Sequence, residues 1–189
     1  MKKLTTLVLA LVMVFSLAAC GNKNSGTTSK EDTNKTEKPK TVTIKSFNAN
    51  NEETDLEVPY DAQRIAVMDM AALDILDSLG LGDRVVGSSS TSLDYLQEYV
   101  TNDEIVDLGT IKEADMEAVM SCEPDVIFIG GRLAQSYDAL SEIAPVVYLS
   151  TDTEIGLVKS VEKNAKTIAS MFGVEDDVKD LMDGYDARI

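Results

Sequence analysis

The sequence predicts an α/β fold built on a parallel sheet. Three observations carry that expectation. Short segments at 64–68, 85–87, 125–129 and 146–149 have strand length and little polar character, as strands buried on both faces do. Between them, apolar residues recur at helical spacing, clearest over 70–79. Gly80, Pro124 and Pro145 punctuate the boundaries. Strands alternating with helices at this pace need helical crossovers, and helical crossovers join parallel strands.

The chain begins with a targeting segment. Lys2 and Lys3 form a basic start, and 4–15 is mostly apolar but short for a membrane span. Leu17-Ala-Ala-Cys20 closes it with small residues before a cysteine, which suits a signal peptidase. The competing reading is an ordinary secretory signal with an incidental cysteine. Residues 21–40 are polar and rich in Asn, Ser, Thr and Lys, too poor in apolar surface to offset ordering entropy. They read as a flexible tether reaching on the order of 65 Å when fully stretched.

The folded part starts at 41. Residues 41–47 alternate, 48–53 have turn chemistry, and 54–58 return as a hairpin before Pro59. The strand at 64–68 feeds a helix over 70–79, closed by Gly80. The strand at 85–87 leads into a hydroxyl-rich loop, 88–91, and a helix over 93–100. A further strand is expected at 105–108, ending at Gly109 and Thr110. Asp115 is a plausible N-cap for a short helix whose Met116, Val119 and Met120 are available to the core. Glu123-Pro124 stops it. After the strand 125–129, Gly130 and Gly131 allow a sharp turn, and Arg132 opens a helix to 143. Beyond the strand 146–149, residues 155–172 form one uninterrupted helix, about 27 Å long. Gly173 interrupts it, and another helix occupies 175–189.

Composition excludes several functions. The formal charge is −16 at pH 7, which argues against nucleic acid and against direct adsorption to anionic lipid. There is no histidine, so imidazole-based zinc sites and Ser–His or Cys–His catalytic pairs are ruled out. Serines 88–90 have neither a nucleophile elbow nor a base, and no enzyme activity is expected. Of the two cysteines, Cys122 reads as a small buried hydrophobe rather than a metal ligand or half of a disulfide.

Open α/β sheets place ligands outside the carboxyl ends of their strands. That nominates Asp69 and Met70, Ser88 and Ser89 in the loop 88–91, Thr110 to Lys112, Gly131 with Arg132, and Ser150 with the residues up to Asp152. Arg132 follows a strand end directly, and a guanidinium there can grip an anion with a two-pronged fork. The competing readings are solvated surface side chains for Arg132 and Lys112. Tyr95 and Tyr137 either line the pocket or sit half-buried on helices.

The segments Gln63-Arg-Ile-Ala-Val67, Leu73-Asp-Ile-Leu-Asp77, Asp83-Arg-Val-Val-Gly87, 114–132 and Leu140-Ser-Glu-Ile-Ala-Pro145 carry a resemblance. Over roughly 41–189 the chain resembles the substrate-binding lipoproteins of bacterial iron-siderophore ABC importers, whose wider family also binds haem and cobalamin. The Gly-Gly-Arg end looks most like the subgroup for anionic catecholate siderophores of the petrobactin type. The resemblance implies a two-lobed periplasmic-binding-protein-like fold, of which 41–153 is the N-terminal lobe and 154–189 the long inter-lobe helix with the start of the next. The second lobe is then missing and the chain cut short. The resemblance further implies cleavage after residue 19, lipidation of Cys20, and a tether over 20–40 holding the domain outside the cytoplasm, on the outer face or in the periplasm. Arg132 would face a ferric siderophore whose own oxygens ligate the iron, so no cofactor and no protein metal ligands are expected. Glu117 matches the glutamate that meets arginines on the permease, with a second glutamate on the other lobe. The chain is expected to act as a monomer. It departs from importers of bare zinc or manganese, which use histidines. The alternatives are another iron chelate, haem or cobalamin on the same fold, or a lipid-anchored adhesive or regulatory domain without ligand.

Overall fold

In a computed structural model of the chain, which describes residues 39–152 and 154–186, the elements follow in an alternating order. A hairpin comes first, β1 (Thr41–Phe47) and β2 (Glu53–Pro59), then β3 (Ile65–Met68) and α1 (Met70–Ser78). Next are β4 (Val85–Ser88), α2 (Glu98–Thr101), β5 (Val106–Asp107) and a small hairpin, β6 (Gly109–Thr110) with β7 (Glu113–Ala114). The chain continues through α3 (Met116–Ser121), β8 (Val126–Ile129), α4 (Tyr137–Ser141) and β9 (Val146–Tyr148) to α5 (Leu157–Phe172) and α6 (Asp177–Asp186).

Five strands form one parallel sheet in the order β5-β4-β3-β8-β9. The sheet is covered on both faces, so its central strands have no solvent side. Val126 and Phe128 of β8 join the core with Ile65 and Val67, α1, α5 and the first hairpin. Ile127 and Ile129 point the other way, into a second core with Val119, Leu133 and Leu140. This is why the sequence lacks alternation there. Each such side chain, wholly removed from water, contributes roughly 1.5–3 kcal/mol relative to exposure. The α5 helix packs Ala165, Ile168, Ala169 and Phe172 into the first core. It is therefore part of the packing under the sheet as well as the long helix expected from sequence.

The parallel sheet, the first hairpin, the Asp115 cap and the buried Cys122 follow the sequence. Other segments differ. The expected helices over 93–100 and 132–143 are not continuous: each gives way to a 3-10 turn followed by a short helix, α2 or α4. Leu133 is the one buried residue of the Gly131–Ser136 turn, and a 3-10 turn suffices to deliver it. The strand at 105–108 shrinks to Val106–Asp107. The helix expected from 155 starts at Leu157, because Gly156 has a left-handed φ of 88°. Met120 is 53% exposed, so α3 buries a narrower stripe than its spacing suggested, with Val119 fully inside.

Candidate functional site

The order of strands locates a crevice. From β3 the chain moves to β4 and β5 on one side, then returns to lay β8 and β9 on the other. The connections leaving β3 and β8 thus diverge, and the gap between them is the switch point where such sheets accept ligands. A concavity of about 400 Å³ lies there, walled by Asp69, Gly130, Gly131 and Arg132. Volumes of this order hold small organic ligands. Ser150, after β9, and Asn164, on α5, also line the concavity.

Asp69 is extended, φ −138° and ψ 124°, and caps α1, accepting a hydrogen bond at Oδ1 from Ala72 N–H at 2.9 Å. Its other oxygen lies against Gly130: a Cβ there would stand 2.2 Å from Oδ2. Burial pushes the carboxyl above the usual carboxylate range, against the opposing pull of the Ala72 and Ala71 amides and the Arg132 charge. Arg132 is exposed, and among the described residues no carboxylate lies within salt-bridge distance of it. It lines the crevice wall. Two hydrogen bonds tie the loop after β9 to α5. Asn164 Nδ2 donates to the Ser150 carbonyl at 3.3 Å, and Asp152 N–H donates to the buried Ser160 Oγ at 2.7 Å.

Six of the expected site residues line this concavity: Asp69, Ile111, Gly131, Arg132, Ser150 and Thr151. The others do not. Met70 begins α1 and packs half-buried against the first core. Ser88 and Ser89 are 3% and 0% exposed, because β4 runs on through Ser88 and Ser89 N–H closes onto the Val67 carbonyl. Thr110 and Lys112 sit exposed in the β6–β7 hairpin, where Thr110 Oγ1 accepts from the backbone N–H of Lys112 and Glu113. Lys112 is a solvated turn lysine, while its neighbour Ile111 reaches the concavity. Tyr95 is 59% exposed and Tyr137 is half-buried in the second core. Glu117 is exposed on α3, its N–H held by the Asp115 carboxylate. Cys20 lies outside the described residues. Sequence reasoning missed Asn164, whose signal was a polar residue beside Ala165 and Ile168 on an otherwise buried helix face. Among the described residues, no group of three or more His, Cys, Asp or Glu side chains is placed to hold a metal.

The protein-family profile described as periplasmic binding protein matches residues 65–189. The petrobactin-binding protein YclQ of Bacillus subtilis is 36% identical over 189 residues, all of this chain and 57% of its own length. The crystal structure of that protein superposes with a TM-score of 0.69 at 33% identity, covering 79% of this chain and 51% of the other. The periplasmic catecholate-siderophore-binding protein VctP of Vibrio cholerae superposes with a TM-score of 0.66 at 28% identity, over 77% of this chain and 51% of the other. The chain spans about half the length of most curated relatives it matches.

The Asp69–Gly130 contact can be tested directly. Gly130→Ala should push the carboxylate off its cap and cost about 1 kcal/mol, the usual worth of an N-cap, read from urea unfolding. In an Asp69→Ala background the same change should cost little. Fully additive losses in the double variant would contradict the contact.

Proposed function

The chain belongs to the periplasmic binding protein family, and from that premise we propose that it forms the ferric-siderophore-capturing lobe of an extracytoplasmic lipoprotein serving an ABC importer. The observation that carries this is Arg132, an exposed guanidinium with no salt bridge among the described residues, on the wall of the crevice between the carboxyl ends of β3 and β8. An anionic chelate, such as a ferric catecholate, presents oxygen acceptors that such a fork engages. Support comes from the relatives named above, one described as binding petrobactin and one as binding catecholate siderophores. The iron travels as cargo, ligated by its chelator.

Lys2, Lys3, the apolar run and Leu17-Ala-Ala-Cys20 support cleavage before Cys20 and attachment of lipid to it. Glu117 is assigned to docking on the permease. It is exposed on α3 and lies apart from the crevice residues. One surface ion pair contributes about 0–1 kcal/mol, so its role is orientation on a basic rim rather than affinity.

Three measurements test these assignments. Arg132→Ala in the full-length protein should weaken ferric catecholate binding by roughly 1.5–3 kcal/mol, tenfold or more in Kd, with the unfolding midpoint unchanged. Unaltered affinity in equilibrium dialysis with labelled iron would return Arg132 to the solvated surface. Cys20→Ser should move the protein from the washed membrane fraction to the soluble one; retention on the membrane would exclude the lipid anchor. Glu117→Ala should leave chelate affinity intact while uptake through the reconstituted importer falls, and unchanged uptake would remove the docking role.

A further inference from the structure

The wall of the crevice is not a simple anion trap. Its two charged side chains, Asp69 and Arg132, are opposite in sign. A site selecting only for negative charge has no use for a carboxylate beside its arginine. Yet Asp69 is held there by several features at once. It follows β3 directly at the switch point, its Oδ1 is fixed by the Ala72 N–H at 2.9 Å, and its Oδ2 occupies the space a side chain at Gly130 would fill. Capping alone does not explain the charge, because Asn and Ser cap helices as well as Asp does. A carboxylate also has about four acceptor positions, more than the amides of Ala71 and Ala72 use. Capacity remains to receive a donor from within the concavity.

We propose that Asp69 is a specificity-determining residue, making this wall select a chelate that presents an anionic oxygen to Arg132 and an N–H or ammonium group to Asp69. The inference rests on the siderophore reading above and narrows it: the favoured cargo carries both kinds of group, and a chelate of high, uniform negative charge is disfavoured. The physical basis is Coulombic. Near a protein surface a unit charge several ångströms from a multiply charged anion shifts binding measurably, and the shift scales with the ligand's charge. It must also fade as salt rises.

The test uses the full-length protein and three iron complexes: a trianionic ferric tris-catecholate, the same catecholate bearing pendant amines, and a neutral ferric trihydroxamate. Asp69→Asn keeps the cap and the shape and removes the charge. It should bind the trianionic complex about three- to tenfold tighter and lose the preference for the amine-bearing form. Binding of the neutral complex, and the unfolding midpoint, should stay where they are. The gain should shrink in high salt. Asp69→Ser, another capping residue without charge, repeats the measurement should the first variant fold poorly. Arg132→Ala is measured beside it. If Arg132→Ala weakens catecholate binding and both Asp69 variants leave the preference among complexes unchanged, Asp69 is only a cap and the proposal is overturned. If neither position affects binding of any complex, the siderophore reading itself falls.

Discussion

The parallel pairing of β3 with β8 is the constraint on which the rest of the structure depends. Ile65, Ala66, Val67 and Met68 face Val126, Ile127, Phe128 and Ile129 in strict register. All eight positions are buried, with alternate side chains committed to different cores. A slip of one residue would send Phe128 into the space shaped for Ile127, so the register is tightly specified. That register brings Asp69, one residue past β3, level with Gly130, one residue past β8. The crevice wall is thus a consequence of how two apolar strands pack.

Both ends of this strand pair are pinned. At the amino end, Asp125 Oδ2 accepts from the backbone N–H groups of Gln63 and Arg64, each at 2.9 Å. The Arg64 guanidinium turns back to the carbonyls of Cys122 and Glu123, where α3 ends. At the carboxyl end, Asp69 caps α1 through Oδ1 while Oδ2 lies against Gly130. Ser46 adds a lateral brace, its Oγ accepting from Tyr148 N–H at 2.9 Å and so joining the first hairpin to the edge strand β9. The backbone that carries the proposed ligand contacts is therefore held with little freedom, which would lower the ordering cost of binding.

The sheet was legible in the sequence because buried strands announce themselves: Ile65–Met68 and Val126–Ile129 admit few other readings. Asp69, Gly131 and Arg132 were legible for a related reason, since they follow strand ends directly. What the sequence hid depended on tertiary packing. Ser88 and Ser89 look like a loop, yet β4 continues through the first and backbone pairing buries the second. The β6–β7 hairpin has two residues per strand, too few to show a period, and it turned Thr110 and Lys112 into a solvated turn. Asn164 lies far along the chain on α5, and only the packing of that helix under the sheet brings it to the crevice. Met120 kept helical spacing but lost its core, because α3 is six residues long and meets the second core through Val119.

The proposed binding place is the crevice above β3 and β8, with Arg132 at its edge. Crystals of the full-length protein grown with a ferric catecholate and measured at the iron absorption edge would locate the metal independently of any substitution. An anomalous iron peak is expected over the carboxyl ends of β3 and β8, with chelate oxygens in hydrogen-bond contact with the Arg132 guanidinium. An iron peak elsewhere on the protein, with no chelate atom near Arg132, would overturn the siderophore site proposed for this crevice.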